Sequence, residues 1–222
     1  MTLRKAGRCM LVLACALVAA CANQPPTPDW QLQAHAASQR AVQAWFSGQD
    51  RIAEQEWTRA RQEMSRTGNL ALMARLELLH CAAQVASLQA TDCPAYQALQ
   101  ADAAPAEQAY AAYLRGQTLE AAQVDLLPAH QKAVALGADF ERLDKGAEPL
   151  AQLVAAGVLQ RRGLATQALA QQATEQASAQ GWRRPLLAWL GLQWRMAEQQ
   201  GNAQEAAQLQ RRMQAVLKNG KP

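Results

Sequence analysis

Beyond residue 30 the apolar positions are carried by Ala and Leu and the polar ones by Gln, Glu and Arg, with almost no alternating runs of Val, Ile, Thr or aromatics. Straight-chain and alanine-rich sequence favours helix, and the scarcity of β-branched residues in alternation disfavours strand. Glycine and proline cut this pattern into helix-sized pieces. The segments predicted to be helical are about 30–47, 50–66, 69–88, 94–103, 105–116, 118–136, 148–162, 165–180, 184–200 and 203–218, separated by Gly48, Gly68, Pro94, Pro105, Gly137, Gly146, Pro149, Gly163, Gly181, Pro185 and Gly201. The expected fold class is all-α.

Some of those glycines share a neighbourhood. After Gly48 come Ala53, Trp57 and Ala60, so a small residue stands five places on, a bulky one nine and a small one twelve, on one helical face. The frame at Gly201 gives Ala206, Gln210 and Met213, with Leu209 beside the bulky place; at Gly163 it gives Ala168, Gln172 and Glu175. On the preceding helix, Leu190-Gly191 followed by Trp194 resembles the Leu-Gly-x-x-Tyr pattern of tetratricopeptide repeats, and Leu159 stands where a large packing residue precedes Gly163. The resemblance covers about 30–66 and 150–218. It implies antiparallel helix pairs stacked as a short tetratricopeptide-like solenoid, with small residues where paired backbones approach and large ones where pairs meet. Trp57 is then expected in the core.

The stretch from about 89 to 148 departs from the frame. Cys93-Pro94, Ala104-Pro105, Pro128 and the polar run Phe140 to Gly146 imply shorter helices. Tyr96, Tyr110 and Tyr113 lie here; the last two share a helical face and are expected to pack between helices. Residues 30–218 nonetheless read as a single helical domain, followed by a short disordered tail at 219–222.

The N-terminus has a different pattern. Arg4, Lys5 and Arg8 precede twelve uncharged residues, Cys9 to Ala20, and Leu17-Val18-Ala19-Ala20-Cys21 places a cysteine directly after small residues. Twelve residues are too few for a membrane-spanning helix, which needs about 20, and the layout is that of a cleaved export signal. It resembles the lipobox of bacterial lipoproteins. That resemblance implies removal of residues 1–20, lipidation of Cys21 (palmitate among the acyl chains), and, because Ala22 rather than aspartate follows, attachment to the periplasmic face of the outer membrane. Residues 21–29 carry the lipidated cysteine and a proline-rich tether; at about 3.1 Å per residue it would hold the domain roughly 25 Å from the lipid. Asp29 is expected to cap the first helix.

Export changes the charge and cysteine arithmetic. The chain has 22 basic and 18 acidic side chains, and the signal removes three basic ones, leaving 19 against 18. Nucleic-acid binding, which needs clustered cations, has no support. Cys9 and Cys15 leave with the signal and Cys21 is lipidated, so Cys81 and Cys93 remain; in an oxidising compartment they are expected to form a disulfide pinning a helix end to its loop.

Chemistry is sparse. His35, His80 and His130 are scattered, Glu148 opens a helix, and no metal-ligand spacing, nucleophile elbow or phosphate loop is present. No catalytic residue, metal or cofactor is expected. Trp182-Arg183-Arg184 joins an aromatic to two cations at a junction between helix pairs, the composition of an interaction surface, whereas Trp189 and Trp194 are expected inside. The leading functional expectation is a helical-repeat scaffold that binds another envelope protein in an assembly, secretion or pilus accessory role. Binding or sensing of a small envelope ligand between helices comes second, and an envelope enzyme third.

Overall fold

A computed structural model describes residues 26–137 and 147–218. The signal, Cys21, the run 140–146 and the tail 219–222 lie outside the described residues. Those described are all-helical, in helix pairs, with no strand among them. Pro26, Thr27 and Pro28 are exposed and carry no regular structure.

The first pair, α1 (Asp29–Ser47) and α2 (Asp50–Ser65), turns at Gly48, whose φ of 80° is left-handed and whose N–H closes the end of α1. Only glycine adopts that conformation without a Cβ penalty. The turn brings Ala37, Ala41 and Ala44 of α1 against Ala53, Trp57 and Ala60 of α2, with Leu76 completing the cluster. The frame read from Gly48 therefore faces inward. Asp29 forms part of the first turn of α1 and Pro28 occupies the cap position, so Asp29 does not cap the helix. Its carboxylate favours the helix N-terminus through the dipole instead.

The centre is built from α3 (Leu70–Ala86) and α8 (Pro149–Arg161). Seven apolar residues of α3 between Leu76 and Ala86 are buried, and in α8 every residue from Gln152 to Leu159 is buried. A helix apolar on nearly all sides belongs in an interior. The two cross closely because Gly157 has no side chain: a Cβ there would lie 2.4 Å from the Val85 carbonyl oxygen.

Between them in sequence run α4 (Pro94–Gln97), a single 3₁₀ turn (Gln100–Asp102), α5 (Pro105–Leu114), α6 (Ala121–Asp125) and α7 (Ala129–Ala135). The helix expected over 118–136 is two short ones. Pro128 takes the N-cap of α7 with extended backbone; it lacks an N–H and disfavours helix in the residue before it, so α6 cannot continue through it. The expected helix over 94–103 likewise shortens to α4 and the 3₁₀ turn. Tyr96 and Tyr113 are buried, and the rings of Tyr110 and Tyr113 stack with centroids 6.1 Å apart. Burial pushes all three phenols upward in pKa, as expected for rings packed between helices.

The C-terminal stack comprises α9 (Gln167–Ala179), α10 (Arg183–Gln199) and α11 (Ala203–Lys218). Leu190 and Ala197 of α10 meet Ala206 and Leu209 of α11, with Trp194 half-buried beside them and Trp189 fully buried in the main core. The frame predicted from Gly163 is out of phase, since Ala168 and Glu175 are exposed. The turn after Gly163 is two residues longer than after Gly48 or Gly201, because Leu164 and Ala165 stand between Gly163 and the N-cap Thr166, whereas Gln49 caps α2 directly after Gly48. Shifted by two, the same face reappears as Ala170, Thr174 and Ala177, all buried.

The main core runs from Phe46 of α1 through Leu78 and Val85 of α3 and Leu153 and Val154 of α8 to Trp189 of α10. The Trp189 indole N–H donates to the Ala86 carbonyl at 3.1 Å. First and last helix pairs thus also meet around a shared interior, in an all-α arrangement of packed helix pairs compatible with the expected solenoid-like stack. No helix among the described residues is long and apolar enough to cross a membrane.

Candidate functional site

Cys81 and Cys93 form a disulfide, with Cα atoms 5.4 Å apart and both side chains buried. It ties the penultimate turn of α3 to the start of α4 and encloses the loop 87–92. That loop is held from its other side by Arg161 of α8, whose guanidinium donates to the carbonyls of Gln89 and Thr91 at 2.9 Å and of Leu114 at 3.2 Å. Burial lowers the Arg161 pKa. Three carbonyl acceptors replace the water that burial removes. On the chain-entropy account a closed loop of this length stabilises the fold by about 3 kcal/mol.

Trp182, Arg183 and Arg184 are brought together, and they face α1 of the same chain. The Trp182 ring packs on Phe46 with centroids 4.5 Å apart, and its N–H donates to Gln43 Oε1 at 3.2 Å. Arg184 donates through Nε to the Trp45 carbonyl at 2.7 Å, lies 3.9 Å over the Trp45 ring, and pairs with Asp50. The Arg183 guanidinium lies beside the Gly48 turn. Aromatic and cationic side chains suit an internal seam between helix pairs as well as a partner surface, because stacking and cation–π contact operate the same way in both. The sequence shows the patch without showing what meets it.

His80 sits between two indoles. Its ring stacks on Trp57 with centroids 4.7 Å apart and an interplanar angle of 23°, and meets Trp45 edge-on at 6.0 Å. On the next turn, Glu77 accepts from Arg61 at 2.7 and 3.2 Å, and Arg61 also reaches Glu54 at 3.1 Å. Burial pulls the His80 pKa below its usual 6.5, and Arg61 adds to that against the opposing carboxylates. His35 is exposed on α1 and His130 lies on α7, so the three histidines do not converge. Among the described residues no three His, Cys, Asp or Glu side chains form a metal-sized group.

A cleft between α9 and α11, floored by α10, escaped the sequence reading. It encloses about 230 Å³ and is lined by Gln171, Thr174 and Glu175 of α9, Gln193 of α10, and Glu205, Gln208, Leu209 and Arg212 of α11. At its floor Thr174 is 1% and Gln193 5% exposed. The Gln193 amide N–H₂ donates to Thr174 Oγ1 and, at 3.3 Å, to the Ala170 carbonyl, while the Thr174 hydroxyl donates to that carbonyl at 2.8 Å. The available signal was a polar residue in an apolar stripe. Gln193 lies between Leu190 and Ala197 on one face of α10, and Thr174 between Ala170 and Ala177 on α9.

Compared with the models of known families, with curated proteins and with solved structures, the chain matches none.

Proposed function

We propose that this chain is a lipoprotein, anchored through Cys21 to the periplasmic face of the outer membrane, that serves without catalysis as a helical scaffold holding a segment of another envelope protein. The observation that carries the reading is the stack of helix pairs that follows the lipobox-like Leu17 to Cys21 in the chain, with the buried Cys81–Cys93 bridge within it. A buried disulfide belongs to an oxidising compartment, which agrees with export. The exposed Pro26 to Pro28 stretch is consistent with a spacer between anchor and domain. The degenerate tetratricopeptide-like frame supports partner binding, since stacked helix pairs present long surfaces. Where the inner helices share a core, that surface is on the outside of the stack.

The test is metabolic labelling with an alkyne palmitate together with crosslinking in intact cells. Labelling lost in Cys21→Ser, membrane fractionation with the outer membrane, and one dominant crosslinked envelope protein are the expected results. Unlabelled protein removes the anchor. Crosslinking that captures no protein removes the scaffold and favours the second reading, a small envelope ligand held between helices, for which the cleft floored by Gln193 is the specific structural support.

A further inference from the structure

The helix pairs on either side of the central crossing can be placed in register by their turn glycines. Trp57 stands nine residues after Gly48, and Thr174 takes the same place once the longer turn after Gly163 is allowed for. On the following helices, His80 stands twelve residues after Gly68 and Gln193 twelve after Gly181. Trp57 stacks on His80 in the first set, and Thr174 accepts from Gln193 in the second. Two rings fill the space between helices in one place. In the other a hydroxyl and a primary amide leave the cleft.

Burying an amide among helices is costly unless each polar group is bonded. Gln193 spends both N–H donors inside the protein, and its Oε1 has no partner among the described residues. On the rim, Arg212 and Gln208 of α11 make no hydrogen bond or ion pair among the described residues, and Glu175 uses one carboxylate oxygen, on Gln171. Glu205 is occupied by Gln167 and Asn202. The groups left over are thus a cation, an amide, one carboxylate oxygen and the Gln193 carbonyl oxygen, which is unpaired but open to the cleft rather than sealed from solvent.

The geometry points to this cleft as a receptor for the carboxy terminus of a peptide. The guanidinium of Arg212 takes the α-carboxylate in charge-assisted hydrogen bonds, Gln208 offers an amide to the last peptide group, and Gln193 Oε1 with Glu175 accepts peptide N–H groups deeper in the cleft. A volume of about 230 Å³ fits a terminal residue and its preceding peptide bond rather than a helix or a folded domain. The same chemistry is offered by the end of a protein chain and by a short cell-wall stem peptide ending in D-alanine. With a protein terminus the assignment rests on the scaffold reading and names the part of the partner that is held; with a stem peptide it rests on the second reading, a small envelope ligand.

The test uses the full chain in detergent and three fluorescein-labelled random hexapeptide pools: free C-terminal carboxylates, C-terminal amides, and free carboxylates ending in D-alanine. Fluorescence polarisation should saturate with the free-acid pool and fall by about tenfold or more in affinity for the amide pool, the loss expected when a charge-assisted contact is removed. Arg212→Ala should cost a similar factor, and Gln193→Leu should weaken binding of all pools. Arg212 is exposed and makes no hydrogen bond or ion pair among the described residues, so Arg212→Ala keeps the test interpretable should Gln193→Leu lower the melting temperature. Preference for the third pool identifies stem peptides as the source, and preference for the first identifies a protein terminus. Equal binding of acid and amide, no saturation with any pool, or an unchanged Arg212→Ala overturns the assignment. If in-cell crosslinking still captures its protein partner with Arg212→Ala, scaffolding stands and a protein terminus is ruled out as the cleft's occupant.

Discussion

The α2–α3 and α9–α10 contacts occupy matching positions on either side of the α3–α8 crossing and make opposite use of them. In the first, Trp57 and His80 stack and close the space, and the Trp57 indole N–H is buried without a hydrogen-bond partner among the described residues. In the second, Thr174 and Gln193 are fully hydrogen-bonded to each other and to Ala170 on the donor side, yet leave an opening that α11 roofs only in part. Packing volume is spent on stability at one position, and polar satisfaction on an accessible concavity at the other. A stack of similar helix pairs can thus hold one closed and one open interface without altering its backbone plan.

Breaking the closed interface has the largest expected effect. Trp57→Ala removes a fully buried indole and should destabilise the fold by about 3–5 kcal/mol; a loss under about 1 kcal/mol in denaturant unfolding would show that Trp57 does not anchor this pair. Next comes the crossing that joins the two regions. Gly157→Ala places a methyl 2.4 Å from the Val85 carbonyl oxygen, so α3 and α8 must separate, at a cost of about 1–3 kcal/mol. Wild-type stability in that variant would mean that the two sides are coupled elsewhere.

The open interface should tolerate the loss of its polar pair. Thr174→Val combined with Gln193→Leu replaces both partners by apolar groups of similar shape, and stability should stay within about 1 kcal/mol of wild type or rise. A large loss would make the pair structural and remove the contrast. The smallest effect is a pH dependence confined to the closed interface. Burial holds the folded His80 pKa below 6.5, so on acidification the unfolded chain takes up this proton first. His80 therefore contributes stability that is present above pH of about 6.5 and is lost as pH falls below it. His80→Gln, which installs the residue of the open interface, should flatten the melting temperature between pH 7.5 and 5.5; an unchanged slope would assign it to other groups.

How much could be read in advance differs by element. The Gly48 frame exposed its buried face directly, since one left-handed glycine followed at once by a helix fixes the phase of Ala53, Trp57 and Ala60. The Gly163 frame misled because Thr166 delays the helix start, and two extra residues rotate a helix by more than half a turn. Gly157 carried no signal as a turn residue, being in mid-helix; its reason is Val85, seventy-two residues away. The cleft was half legible. Gln193 and Thr174 each interrupt an apolar stripe, but only their meeting across two helices makes a floor.

The sequence by itself determined the helical class, the positions of most turns and the inward face of the first pair, because propensity, left-handed glycine and helix periodicity act over a few residues; the pairing of Cys81 with Cys93 was expected only through the lipoprotein resemblance, and the structure supplies their proximity. Tertiary structure alone decided that Trp182 and Arg184 would close against α1, that α3 and α8 would cross at Gly157, and that one interface would stay open. Those outcomes depend on which side chains face each other across helices distant in sequence, and on whether their combined volume fills the gap between the backbones.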